Sequence, residues 1–128
     1  MIDRRGFVVS ASVATLLGGS AVAATAEGQM YGMIGKVTTK PGQREALARL
    51  LLSGSAAMPG CLSYVVSEDL ANADALWVSE AWDSKESHAA SLSLPAVRAA
   101  IAAARPLIAG FDTAAELRPI GGVGLGRG

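Results

Sequence analysis

Two Pro-Gly pairs, Pro41-Gly42 and Pro59-Gly60, constrain most tightly what this chain can fold into. Proline lacks the N–H that a strand ladder or helix interior needs, and glycine admits turn conformations that other residues resist. Each pair therefore closes one element and opens another. Before the first pair, Tyr31–Lys40 alternates loosely and is rich in β-formers, which predicts a first strand. Pro41 also suits the first turn of a helix, where its missing N–H costs nothing. From Gln43 to about Ser53, Leu47, Leu50 and Leu51 fall at helical spacing, with Arg44, Glu45 and Arg49 on the other side.

After the second pair, Cys61–Ser67 predicts a second strand with Leu62, Tyr64 and Val66 on one face. Asp69–Asp74 is a polar connection. Leu76–Trp82 predicts a third strand, close enough to the second for an antiparallel hairpin, with Leu76, Val78, Glu80 and Trp82 sharing a face. Asp83-Ser84 offers an N-cap for a helix carrying Glu86, His88 and Ser91. Ser93 and Pro95 read as a second cap and first turn, opening a helix to about Arg105 with Val97, Ile101 and Ala104 as its apolar stripe. Pro106 ends that helix, Thr113–Ile120 can form a last strand, and Gly121–Gly128 reads as a mobile tail.

The order β-α-β-β-α-β is the split βαβ pattern of ferredoxin-like α+β folds, a four-stranded antiparallel sheet with helices on one face. Residues 29–120 are expected to form this one domain. Val65, Trp77 and Ala81 place apolar side chains on the opposite sheet face. A domain of this size buries only about two thirds of its unfolded surface. A homodimer through the sheet face would cover that second apolar layer, and is the expected assembly.

Residues 1–26 read as an export signal. Arg4-Arg5 with Phe7 lead an apolar stretch to about Leu17, and small residues crowd Gly18–Ala26. The arginine pair is of twin-arginine type, although Asp3 and Val8 replace the residues usual there. The apolar stretch is too short to span a bilayer, so no stable membrane span is expected after cleavage, and a periplasmic or extracellular location is. Losing Asp3, Arg4 and Arg5 leaves nine basic and ten acidic side chains, no footprint for a nucleic acid partner. Cys61 is the sole cysteine, which excludes an intramolecular disulfide and a multi-cysteine metal site. It reads as a small buried hydrophobe, with an intermolecular bridge or reactive thiol as the other choice.

His88 is the sole histidine, of the residue type whose unperturbed titration lies near neutrality. Ser91, one helical turn on, shares its face, so both could address one bound ring. The competing account is a surface or capping histidine. Trp82 ends a strand just before that helix and either walls a pocket or packs the core. Tyr64 is either a core phenol or a donor to a substrate oxygen. Trp77 points to the opposite face, towards the expected dimer interface. Glu80, on an apolar strand face, needs a partner, and an arginine is favoured over a role as general base. Arg98 and Arg105 read as a solvated face. Nothing resembles a metal site, a phosphate loop or a nucleophilic triad, and the Gly-rich tail lacks the context of a dinucleotide fingerprint.

The segment Tyr31–Ile120 resembles the antibiotic biosynthesis monooxygenase domain family, which includes quinol monooxygenase-like proteins. The resemblance rests on the strand into Lys40-Pro41-Gly42, on Pro59-Gly60-Cys61 entering the strand of Tyr64, on Glu80-Ala81-Trp82-Asp83-Ser84, and on the helix of His88 followed by Leu94-Pro95. It implies a ferredoxin-like subunit dimerised through its sheets, and oxidation of phenols or hydroquinones by molecular oxygen without metal, flavin or other cofactor. Under that reading His88 is the catalytic proton handler, and Trp82, Tyr64 and Ser91 bind the small aromatic or quinol substrate. Members with a helical histidine often carry it where this chain has Ser91. Haem-degrading relatives use Asn, Trp and His where Gly35, Ser91 and Ile101 stand, which disfavours haem degradation. The alternatives are a non-catalytic dimeric domain binding a small molecule or protein, and an isomerase or decarboxylase that needs no oxygen.

Overall fold

The computed structural model describes residues 29–125. The expected export signal and the end of the Gly-rich tail lie outside the described residues. β1 (Tyr31–Thr39), the loosely alternating stretch before Pro41, runs through the middle of a four-stranded sheet. β3 (Ala75–Trp82) lies on one side of it and β4 (Ile108–Leu117) on the other, while β2 (Cys61–Glu68) flanks β3. All neighbours are antiparallel, in the order β2-β3-β1-β4. This is the α+β ferredoxin-like fold that the element order implied.

α1 (Arg44–Gly54) and α3 (Pro95–Ala104) pack against the sheet and each other. Leu47 of α1, Ala104 of α3, Val37 of β1 and Leu76 of β3 form the buried core, flanked by Leu50, Leu51, Val66 and Ile108. A Cβ on Gly54 would stand 2.5 Å from the Ala100 Cβ, so that glycine sets how closely the two helices approach. Between them, α2 (Lys85–Ser91) is a short helix capped by Ser84, whose hydroxyl accepts the Ser87 N–H at 3.0 Å.

Three local expectations are corrected. β4 begins at Ile108, five residues before the expected Thr113, and ends at Leu117. It is read poorly from sequence because two register shifts against β1 break its alternation. The N-cap of α3 is Leu94 rather than Ser93, with Pro95 in the first turn and no side-chain cap. Leu62 does not share the face of Tyr64 and Val66. A bulge between Cys61 and Ser63 inserts it as an extra residue, and it is 37% exposed.

Candidate functional site

The end of the sheet where β3 runs into α2 gathers the polar and aromatic side chains. Gly60 makes that junction tight. It has φ +85°, and a Cβ there would lie 2.5 Å from the Ser87 Cβ and 2.8 Å from the Asp83 carboxylate. The Asp83 N–H donates to the Gly60 carbonyl at 2.8 Å, tying the start of β2 to the end of β3. With α2 anchored there and capped by Ser84, His88 is delivered one turn in, beside the last residue of β3.

That residue is Trp82, only 1% exposed. Its ring meets the His88 imidazole edge to face, with centroids 5.4 Å apart. Tyr31 stands opposite Trp82 in the β1–β3 register, and its ring lies 5.3 Å from His88. Glu80, two residues before Trp82 on the same face, accepts the indole Nε1–H at 2.9 Å through Oε1. The same oxygen is 3.9 Å from His88 Nε2, too long for a hydrogen bond but within ion-pair reach once the ring is protonated. His88 thus sits between two aromatic rings, with one carboxylate serving it and Trp82.

The cluster opens into a cavity of about 570 Å³ between the sheet and the helices. Tyr64, Glu80, Trp82, His88 and Ser91 all line it, and the remaining wall is mostly apolar, with Val37, Leu47, Ile101 and Phe111 among its residues. Volume and lining suit a small organic ligand held by a few convergent polar groups. Among the described residues, no three His, Cys, Asp or Glu side chains are grouped to hold a metal ion.

Residues 30–103, more than half of the chain, match the antibiotic biosynthesis monooxygenase family. The chain belongs to that family. A solved structure from Chloroflexus aurantiacus J-10-fl, described as an antibiotic biosynthesis monooxygenase, is 58% identical over 76% of this chain and 99% of its own, with a TM-score of 0.75. PA3566 from Pseudomonas aeruginosa is 20% identical over 74% of this chain and 98% of its own, with a TM-score of 0.65. Rv0793 from Mycobacterium tuberculosis is 21% identical over 73% and 98%, with a TM-score of 0.63. The last two share the fold. No curated protein matches the sequence.

In this antibiotic biosynthesis monooxygenase domain, the four site residues expected from sequence border one cavity in unequal states. His88 and Trp82 touch. Tyr64 lies opposite Glu80 in the β2–β3 register. Burial, and then the Glu80 and Cys61 charges, push its phenol up to about 12, so it stays protonated as a donor. Ser91 is buried, and its hydroxyl donates to the His88 carbonyl at 2.6 Å. Its proton is thereby committed to the helix, which leaves the oxygen only as an acceptor towards a ligand.

Glu80 departs from its expected arginine partner. Its contacts are Trp82 and His88, while Arg98 and Arg105 are exposed. Cys61 is partly buried, with its thiol 3.6 Å from the Ser63 carbonyl. Burial pushes that thiol up, as does the Glu80 charge, against the opposing effect of the Ser63 contact. This disfavours the reactive-thiol alternative.

Tyr31 was legible only as the start of a strand, yet its ring packs against His88 at a tilt of 44°. Its hydroxyl donates to Glu116 Oε2 at 2.7 Å, and Lys85 Nζ is 3.7 Å from that same oxygen. Burial and the Glu116 contact raise its phenol well above the ordinary range. Only the pairing register of β1 with β3 brings it to the site, and no local motif carries that information.

Proposed function

We propose that this member of the antibiotic biosynthesis monooxygenase family is an exported, cofactor-independent monooxygenase-like enzyme that oxidises a small phenolic or quinol-type substrate with molecular oxygen. One observation carries the reading: the sole imidazole of the chain stands in an aromatic corner of a largely apolar cavity. Such chemistry asks little of a protein beyond binding the ring, accepting a phenolic proton and keeping water out while the anion passes an electron to oxygen. His88 takes the proton, Trp82 and the apolar wall hold the ring, and Tyr64 donates a hydrogen bond to a substrate oxygen. Ser91 accepts one. For a hydroquinone the step balances with oxygen alone. One oxygen atom bonds to a ring carbon, the other leaves as water, and the product is a hydroxyquinone.

The working unit in this reading is a homodimer through the sheet face away from the helices. Ile34 and Trp77 lie there beside Val65 and Leu117, each 48% exposed, an apolar layer that a second copy would cover, while Ala81 is already buried within the single chain. No described helix is long and apolar enough to cross a membrane. Removal of residues 1–26 on export would place the enzyme in the periplasm or outside the cell.

The test is turnover of a hydroquinone panel by metal-free protein, with and without oxygen. Oxygen-dependent product that falls at least tenfold in His88→Ala supports the proposal. Tight binding with no turnover would make the domain a binding module, and conversion without oxygen would make it an isomerase or decarboxylase. Either result overturns the oxygenase reading.

A further inference from the structure

We propose that Glu80 is a positioning residue, holding the Trp82 indole and supplying the fixed negative charge against which His88 takes up a proton. This rests on the reading of His88 as proton acceptor and extends it to a residue that needs no contact with substrate. The geometry is specific, because a single oxygen, Oε1, serves both partners at 2.9 Å and 3.9 Å. A carboxylate on the wall of an apolar cavity is costly unless it is paired. Among the described residues, the one ion-pair partner of Glu80 is His88. The pairing is complete only when the imidazole is charged, the state that proton abstraction creates.

Every other titratable group near this carboxylate is silent around neutrality. Tyr64 and Cys61 of β2 and Tyr31 of β1 are all raised, each by burial and in part by the Glu80 charge. Beyond Tyr31, Glu116 of β4 and Lys85 of α2 face each other. His88 alone is of a type that changes charge there. Glu80 and His88 therefore form a two-member unit whose charge depends on one proton.

Glu80→Gln separates charge from shape. It keeps an oxygen to accept the Trp82 indole N–H and removes the negative charge. The chain has two tryptophans, so an ¹⁵N–¹H spectrum of tag-free protein shows two indole N–H signals, and Trp77 serves as internal control. Trp77 donates to Asp69, which faces Lys36, a group charged throughout the neutral range. Between about pH 5 and 8, the Trp82 signal moves with protonation of His88 while the Trp77 signal stays still. The movement disappears in His88→Gln and shrinks to less than half in Glu80→Gln, where no charged oxygen links the two rings. A movement of undiminished size in Glu80→Gln overturns the proposal whether or not the protein turns anything over. Where turnover is observed, Glu80→Gln lowers kcat about tenfold or more with KM little changed. Glu80→Asp restores part of the loss. Wild-type kcat in Glu80→Gln would discard Glu80 while leaving the oxygenase reading intact.

Discussion

Each face of the sheet carries an indole, a carboxylate and a basic side chain in contact. On the helix face Trp82 Nε1 donates to Glu80 at 2.9 Å, and His88 is the basic member. On the outer face Trp77 Nε1 donates to Asp69 at 2.9 Å. Lys36 Nζ lies 3.8 Å from that carboxylate and 5.9 Å from the centre of the Trp77 ring. The indole–carboxylate contact is the same in both, and the cation differs. Lysine stays charged through the neutral range, so the outer group is a fixed clip. Arg44 strengthens it by donating to the Asp69 and Asn72 carbonyls at 3.1 and 3.0 Å, which fastens the β2–β3 connection to α1. Histidine gains and loses its charge near neutrality, and its group borders a cavity. One arrangement maintains architecture, and the other can move a proton.

The strongest test of that contrast removes each indole. Trp82 is buried at 1% exposure, so Trp82→Ala is expected to cost about 3–5 kcal/mol in urea unfolding, the usual range for a core aromatic. Trp77 is only partly buried in the single chain, and Trp77→Ala should cost less than about 2 kcal/mol. Equal losses would break the comparison. A Trp77→Ala loss that grows with protein concentration would instead sharpen it, by revealing the outer face as an interface.

Two smaller changes probe how the helix-face group is assembled. Gly60→Ala places a Cβ against Ser87 at a positive φ, and is expected to cost about 1–3 kcal/mol. The altered junction should also change Trp82 fluorescence, whereas the Trp77 indole signal stays in place. Ser84→Ala removes the cap of the helix that carries His88, at a cost of about 1 kcal/mol by thermal unfolding. Neither substitution touches the outer clip. A comparable disturbance at Trp77 would show that the two groups are coupled through β3.

The fold was legible because its signals are local and agree with one another. Pro41-Gly42 and Pro59-Gly60 mark the turns, Leu47, Leu50 and Leu51 mark the helix period, and the β3 alternation puts Leu76, Val78, Glu80 and Trp82 on one face. β4 was misplaced because its alternation is broken where Val37 pairs with Phe111 and Thr39 with Ile108. His88 and Trp82 were readable as neighbours because a cap and one helical turn separate them. Tyr31 was not, since its approach depends on a register set about fifty residues away in sequence. Glu80 was recognised as needing a partner but paired with the wrong residue type. An arginine is the common answer to a semi-buried carboxylate, and sequence cannot show that an indole and an imidazole arrive first. The direction of the Ser91 hydroxyl was not legible either, because a serine within a helix readily turns back to a carbonyl of the preceding turn.

The smallest effect expected is at the outer carboxylate, and it carries the sign of a permanently paired acid. The Trp77 indole hydrogen bond and then the Ala71 backbone N–H hold Asp69 below its usual range against an opposing effect of burial, with smaller help from the Lys36 charge. A carboxyl that is more acidic folded than unfolded stabilises the fold at pH values above its unfolded titration. As pH falls below about 4, the unfolded chain binds the proton first, and that stabilisation is lost as pH drops through the lower folded value. Urea midpoints measured from pH 6 to pH 3 should therefore fall less steeply in Asp69→Asn than in the wild type, with the two curves converging at the acid end. Added salt should narrow the difference, because the Lys36 contribution is screened. If the two curves stay parallel down to pH 3, Asp69 titrates alike in both states and the outer group is no clip at all. The distinction between a fixed pair and a proton-dependent one would then have to rest on Glu80 and His88 alone.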